Sequence, residues 1–145
     1  MTIQIVSALF AIMAASIYLE IPKRFIFRAG FVGALGWGVY LIFGDIYGIV
    51  LATYIAGIVV SITSHIISRR VKTPVTIFFI PGLYPLVPGY RLYMAVFSFM
   101  SGNGPLATSY LVDTIKISGM IALAIFTADA LFHIINKVKK IIPQN

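Results

Sequence analysis

Apolar residues in this chain fall in long blocks, not in the alternation of a strand or the narrow stripe of a surface helix. The first block, residues 3–21, ends at Pro22 and a basic group, Lys23, Arg24 and Arg28. No positive residue precedes it and no small-x-small cleavage pattern follows, so it reads as a retained helix rather than a signal peptide. The second block, 27–43, is short for a span unless Arg28 snorkels to the headgroups. Its glycines, Gly30, Gly33, Gly36 and Gly38, recur at helical spacing and predict close approach of another helix. Gly44-Asp45 reads as a turn. The third block, 46–67, carries Gly48, Ala52 and Ala56 on one face, then a polar end with Ser61, Ser64, His65 and Ser68, then Arg69, Arg70 and Lys72. The fifth, 114–135, places Asp113 near its start and Lys116 one turn on, and is followed by Lys137, Lys139 and Lys140.

The fourth block, 74–100, contains the strongest local signal. Pro81, Gly82, Tyr84, Pro85, Pro88 and Gly89 lie in nine residues, with Arg91 just beyond. Each proline removes a backbone donor and clashes with the preceding turn, so the run predicts a break between two half-helices. Broken backbone at membrane depth is tolerated only against protein or a water-filled cavity. Discontinuous helices of this kind hold substrate sites in many secondary transporters. A re-entrant hairpin leaves too few residues to cross back, so one crossing made of two halves is expected.

Composition turns this helical pattern into a membrane pattern. Hydrophobic residues are 60% of the chain and charged residues 10%, with a mean hydropathy of +1.00. A typical soluble domain is about 25% charged. The net charge of +7 does not point to nucleic acid, because the basic residues cluster between or after the apolar blocks. Those clusters follow blocks one, three and five, whereas the loops after two and four carry Asp45 and Asp113. The expectation is an all-α integral membrane protein, one domain over 1–145 with five transmembrane helices. The N-terminus lies outside and the C-terminus in the cytoplasm, as a multi-pass protein of the cell (plasma or inner) membrane. Absent cysteines exclude thiolate metal sites and cysteine catalysis. No zinc spacing, Walker loop or dinucleotide fingerprint occurs, so no metal, cofactor or direct ATP coupling is expected. No nucleophile–base pair is apparent, which argues against an enzyme.

Few residues are left to carry chemistry. Arg91 at the start of the second half-helix would join a planar cation to free N–H groups and a positive helix end, which suits a carboxylate. The alternative is an arginine tied to loop carbonyls or to an acid on a neighbouring helix. Tyr84, Tyr90 and Tyr93 flank the break and could line a polar cavity or brace the kink. Asp129 lies within the fifth apolar block and His133 is on the same face, four residues on. The two could pass a proton, or an Asp129–Arg91 or Asp129–His133 pair could simply fix packing. His65 reads as an interfacial residue.

The run Pro81–Gly89, with Tyr93, the Gly102-Asn103 loop and the glycine-rich segment Gly30–Gly38, resembles the threonine/serine exporter family over nearly the whole chain. The likeness is to its C-terminal half, which also occurs as a separate small membrane subunit. The resemblance implies a secondary exporter of small carboxylates, threonine- and serine-type amino acids or dicarboxylates such as succinate, driven by the proton motive force. It implies a partner membrane subunit resembling the family's N-terminal half, hence a hetero-oligomer with inverted-repeat character. The sequence does not exclude a homo-oligomer as well. The family pattern does not supply Arg91, whose role rests on physics alone. The competing expectations are a non-transporting accessory subunit of a larger transporter, or a channel.

Overall fold

A computed structural model describes residues 1–141, with side chains as far as Lys137; the side chains of Lys139 and Lys140 lie outside the described residues. Among these the chain is all helical. Helix α1 is Thr2–Tyr18. It stops before the expected residue 21 because Glu20 takes a left-handed conformation (φ 56°) and Pro22 has no N–H to continue the ladder. Ile21 N–H instead reaches back to the Ser16 carbonyl at 3.0 Å.

Helix α2, Lys23–Val71, contains both the second and third apolar blocks. The expected turn at Gly44-Asp45 is helical; the chain turns at Gly48, where φ 77° and ψ 165° break the helix. Only glycine holds that backbone without strain. Gly48 is therefore a corner, with nothing within 4 Å of where a Cβ would stand. The two arms close on each other at Gly36, where a Cβ would come within 2.3 Å of Val60 Cγ2. Gly30 and Gly33 face Met13 and Ile12 of α1, and Gly38 faces Ile5. Ala52 and Ala56 are fully buried. Helix α2 ends with Lys72 in a left-handed conformation, and the Ser68 hydroxyl donates to the Thr73 carbonyl.

The proline/glycine run is broken over a shorter stretch than expected. Helix α3, Thr76–Leu83, retains Pro81 and Gly82; Tyr84–Leu86 form one 3-10 turn; α4 begins at Gly89 and runs to Met100. Pro85 enters the first turn of the 3-10 segment, where its missing N–H costs little. Val87, forced extended by the proline after it, has φ −64° and ψ 130°. The irregular stretch is thus Val87-Pro88. The halves pack on different neighbours, α3 against α2 and α1, α4 against α5. Helix α5, Gly104–Ile141, starts well before residue 114. Asn103 caps it through Oδ1, which accepts from Leu106 N–H at 3.2 Å, and Pro105 suits its first turn. Asp113 therefore lies in the third turn, not at the helix start.

The core is Phe25, Ala29, Val32, Ala56, Val60, Phe78, Leu83 and Leu86, with Phe25 and Phe78 edge to face at 5.5 Å. Outside it, large apolar side chains such as Phe10, Phe27, Ile46, Phe99 and Phe126 are exposed on several helices. Helix α2 and the Gly104–Lys137 stretch of α5 are long and apolar enough to cross a membrane. That surface fits lipid as solvent.

Candidate functional site

The break in the fourth segment opens into a cavity of about 300 Å³. Pro85, Leu86, Val87, Pro88, Tyr90 and Arg91 form one wall. Trp37 and Tyr40 from the first arm of α2 form another, their rings stacked at 5.0 Å. Thr53 of the second arm and Ile117 of α5 complete it. The Thr53 hydroxyl donates to the Ile49 carbonyl at 2.7 Å and is thereby satisfied. The site has the composition of a small-solute pocket, aromatic and apolar walls with few polar groups.

The one charged residue in its lining, Arg91, is paired with an acid of α5. Arg91 Nη1 donates to Asp113 Oδ2 of α5 at 2.5 Å, and both side chains are about one-third exposed. The Arg91 guanidinium has five donors, so this bond leaves others for a ligand. Gly89 N–H is taken by the Val87 carbonyl and Leu92 N–H by the Pro88 carbonyl. The N–H groups of Tyr90 and Arg91, in the first turn of α4, have no acceptor within the helix. The arrangement can bind an anionic group at Arg91 with a carboxylate one bond away.

The other residues of the run are placed differently. Pro81 and Gly82 are buried in the α2–α3 contact; a Cβ on Gly82 would meet Val32 at 2.9 Å and Val60 at 3.0 Å. Tyr84 is exposed, and Gly89 opens α4. Tyr93 stacks on Phe97 at 6.2 Å on the outer face of α4, away from the cavity. Sequence reading missed Trp37, Tyr40, Thr53 and Ile117, and did not pair Asp113 with Arg91. A signal existed for Arg91, an isolated charge in apolar sequence that needs a partner.

A second polar cluster lies on the α2–α5 seam. Asp129 Oδ1 meets His65 Nε2 at 2.7 Å. The expected Asp129–Arg91 and Asp129–His133 pairs do not form: Arg91 is held by Asp113, and Asp129 turns to α2. The His65 ring stacks on Phe132 at 4.3 Å, and the Arg69 guanidinium lies 4.6 Å above the same ring. Tyr54 and Thr127 share a hydroxyl–hydroxyl bond of 3.1 Å, and Gly57 faces the Ala124 methyl. Among the described residues no cluster of His, Asp or Glu could hold a metal ion.

A family model described as "Threonine/Serine exporter, ThrE" matches residues 4–131. No curated protein and no solved structure matches the chain.

Proposed function

The chain belongs to the threonine/serine exporter family, and from that premise we propose that it is a subunit of a proton-driven secondary exporter of small carboxylates. Its substrate site in this reading is the cavity at the helix break, and it acts with a second membrane subunit in the cell membrane. The observation that carries the reading is Arg91 on that cavity, beside Trp37, Tyr40 and the Pro85–Pro88 wall, with its guanidinium bonded to Asp113 of α5. Arg91 takes the substrate carboxylate. Asp113 offers an acceptor for an ammonium group, so the two opposite charges favour a zwitterionic amino acid. A dicarboxylate such as succinate meets repulsion from Asp113 at its second charge.

In this reading α1, the two arms of α2, the broken fourth segment and α5 make five crossings, with the N-terminus outside. At 17 residues α1 extends about 25 Å at ~1.5 Å per residue, close to a hydrocarbon core of ~30 Å. This topology puts Lys23, Arg24 and Arg28, then Arg69, Arg70 and Lys72, then Lys137 on the cytoplasmic side.

The test is efflux from intact cells lacking their own exporters, loaded with a threonine-containing dipeptide or with succinate. Wild-type chain expressed with its second subunit should export threonine, and a protonophore should stop it. Arg91→Gln should cut export by about 10–100-fold at equal protein level, since a charge-assisted bond of ~1.5–3 kcal/mol is lost. Undiminished export by that variant would remove the cavity from the mechanism.

A further inference from the structure

His65 and Asp129 are brought together by the fold from residues 64 positions apart, the first on α2 and the second on α5. Asp129 stands eight residues before Lys137, about 12 Å along the helix from the basic end at ~1.5 Å per residue. An acid at that depth is costly and is kept where it has a partner and a purpose. Its partner is a histidine, the side chain whose charge changes between about pH 5 and 8; an arginine or lysine there would hold its proton permanently. The two are unequally open. Asp129 is 59% exposed, whereas His65 is 17% exposed and clamped face to face on Phe132. The acid is thus the open member of the pair and the imidazole the enclosed one.

Resting on the exporter reading above, we infer that the His65–Asp129 pair is the proton-carrying site of the transport cycle. Loaded, the pair is imidazolium and carboxylate, neutral as a unit. Unloading breaks the Nδ1–H bond of the imidazolium, since Nε2 is the nitrogen bonded to Asp129, and releases that proton toward the cytoplasmic end. It leaves neutral His65 beside a negative Asp129, so the tie between α2 and α5 weakens from an ion pair to a neutral-donor hydrogen bond. The charged and titratable groups beside the pair are Arg69, one turn on from His65, and on α5 His133 and Lys137, one and two turns beyond Asp129. Arg69 lies over the Phe132 ring on which His65 stacks and is a fixed positive charge beside the pair. His133 does not bond Asp129 and in this reading has no part in carrying the proton.

The full exporter is reconstituted in vesicles and supplied with labelled threonine. Two processes are followed, threonine–threonine exchange, which needs no net proton movement, and uphill transport driven by a pH gradient. His65→Gln and Asp129→Asn should keep exchange within about twofold and lose uphill transport by about tenfold or more, while His133→Gln keeps both. Wild-type uphill transport in either variant would overturn the inference. So would parallel loss of exchange, which marks a structural tie, or an uncoupled His133→Gln. If wild-type vesicles exchange no threonine, the exporter reading falls, and the pair is then decided by infrared difference spectra of the purified chain between about pH 5 and 8. Imidazole and carboxylate bands that vanish in both His65→Gln and Asp129→Asn support it; spectra unchanged by either substitution overturn it.

Discussion

Gly57 gives the sharpest test of how α2 and α5 are held together. A Cβ added there would stand 2.8 Å from the Ala124 methyl, against the 3.4 Å at which ordinary contact begins, so the helices must part by about 0.6 Å. The obstacle is a methyl on rigid backbone and has no rotamer to yield. Overpacking of this kind costs about 1–3 kcal/mol. Against it stands the helix preference for alanine over glycine, about 0.8–1.0 kcal/mol. Gly119, exposed on α5 with nothing within 4 Å of its Cβ position, has the gain without the clash. Gly57→Ala should therefore be less stable than Gly119→Ala by about 1–3 kcal/mol, the overpacking term alone.

The double variant Gly57→Ala/Ala124→Gly isolates the contact. It moves one methyl across the seam, so the helix-propensity terms cancel and the stability should return to near wild type. The coupling energy of that cycle should be about 1–3 kcal/mol in favour of the double variant. Unfolding by SDS in mixed micelles, followed by helical circular dichroism, measures all four proteins. In a heating experiment each kcal/mol corresponds to about 2–4 °C for a chain of this size. The reasoning is refuted if Gly57→Ala matches Gly119→Ala, or if adding Ala124→Gly brings no recovery.

Three further outcomes are expected. Gly48→Ala should destabilise the chain by about 1–3 kcal/mol in the same SDS titration, because φ 77° with ψ 165° is strained for a residue with a Cβ although space around it is free. Asp113→Asn should lower threonine efflux by about tenfold and leave succinate efflux unchanged or raised, the ammonium partner having been lost; an unchanged ratio of the two would argue against Asp113 as that partner. Tyr93→Ala, outside the cavity, should keep efflux within about twofold of wild type, with losses confined to its stack on Phe97 worth ~0.5–1.5 kcal/mol.

What could be read in the sequence was the kind of constraint at each position, and what could not was the partner. Gly30, Gly33 and Gly36 announce close contacts by spacing alone, because small side chains are what helix packing in lipid requires. That they meet Met13, Ile12 and Val60 depends on where the chain turns. Gly44 and Gly48 are equivalent as letters; which one leaves the helix is decided by the fit of the two arms, a tertiary property. The proline run was legible as a break but not in its extent, since helix α3 tolerates Pro81 while packed against α2. Charges show the same limit most clearly. Arg91 and Asp129 each need a counter-charge, and with few acids and bases in the apolar blocks the sequence suggested joining them to one another. The fold instead gives each a partner across a helix contact, Asp113 for Arg91 and His65 for Asp129. Both pairs have one member on α5, on the cavity side at Asp113 and toward the basic end at Asp129. Helix α5 is thereby tied at two points to two different neighbours, α4 and α2. In the proposed cycle a substrate ammonium that competes with Arg91 for Asp113 loosens the first tie, and release of the proton from the His65–Asp129 pair weakens the second. Both proposed events then act on α5, which is the mechanical requirement for substrate and proton to be coupled through it.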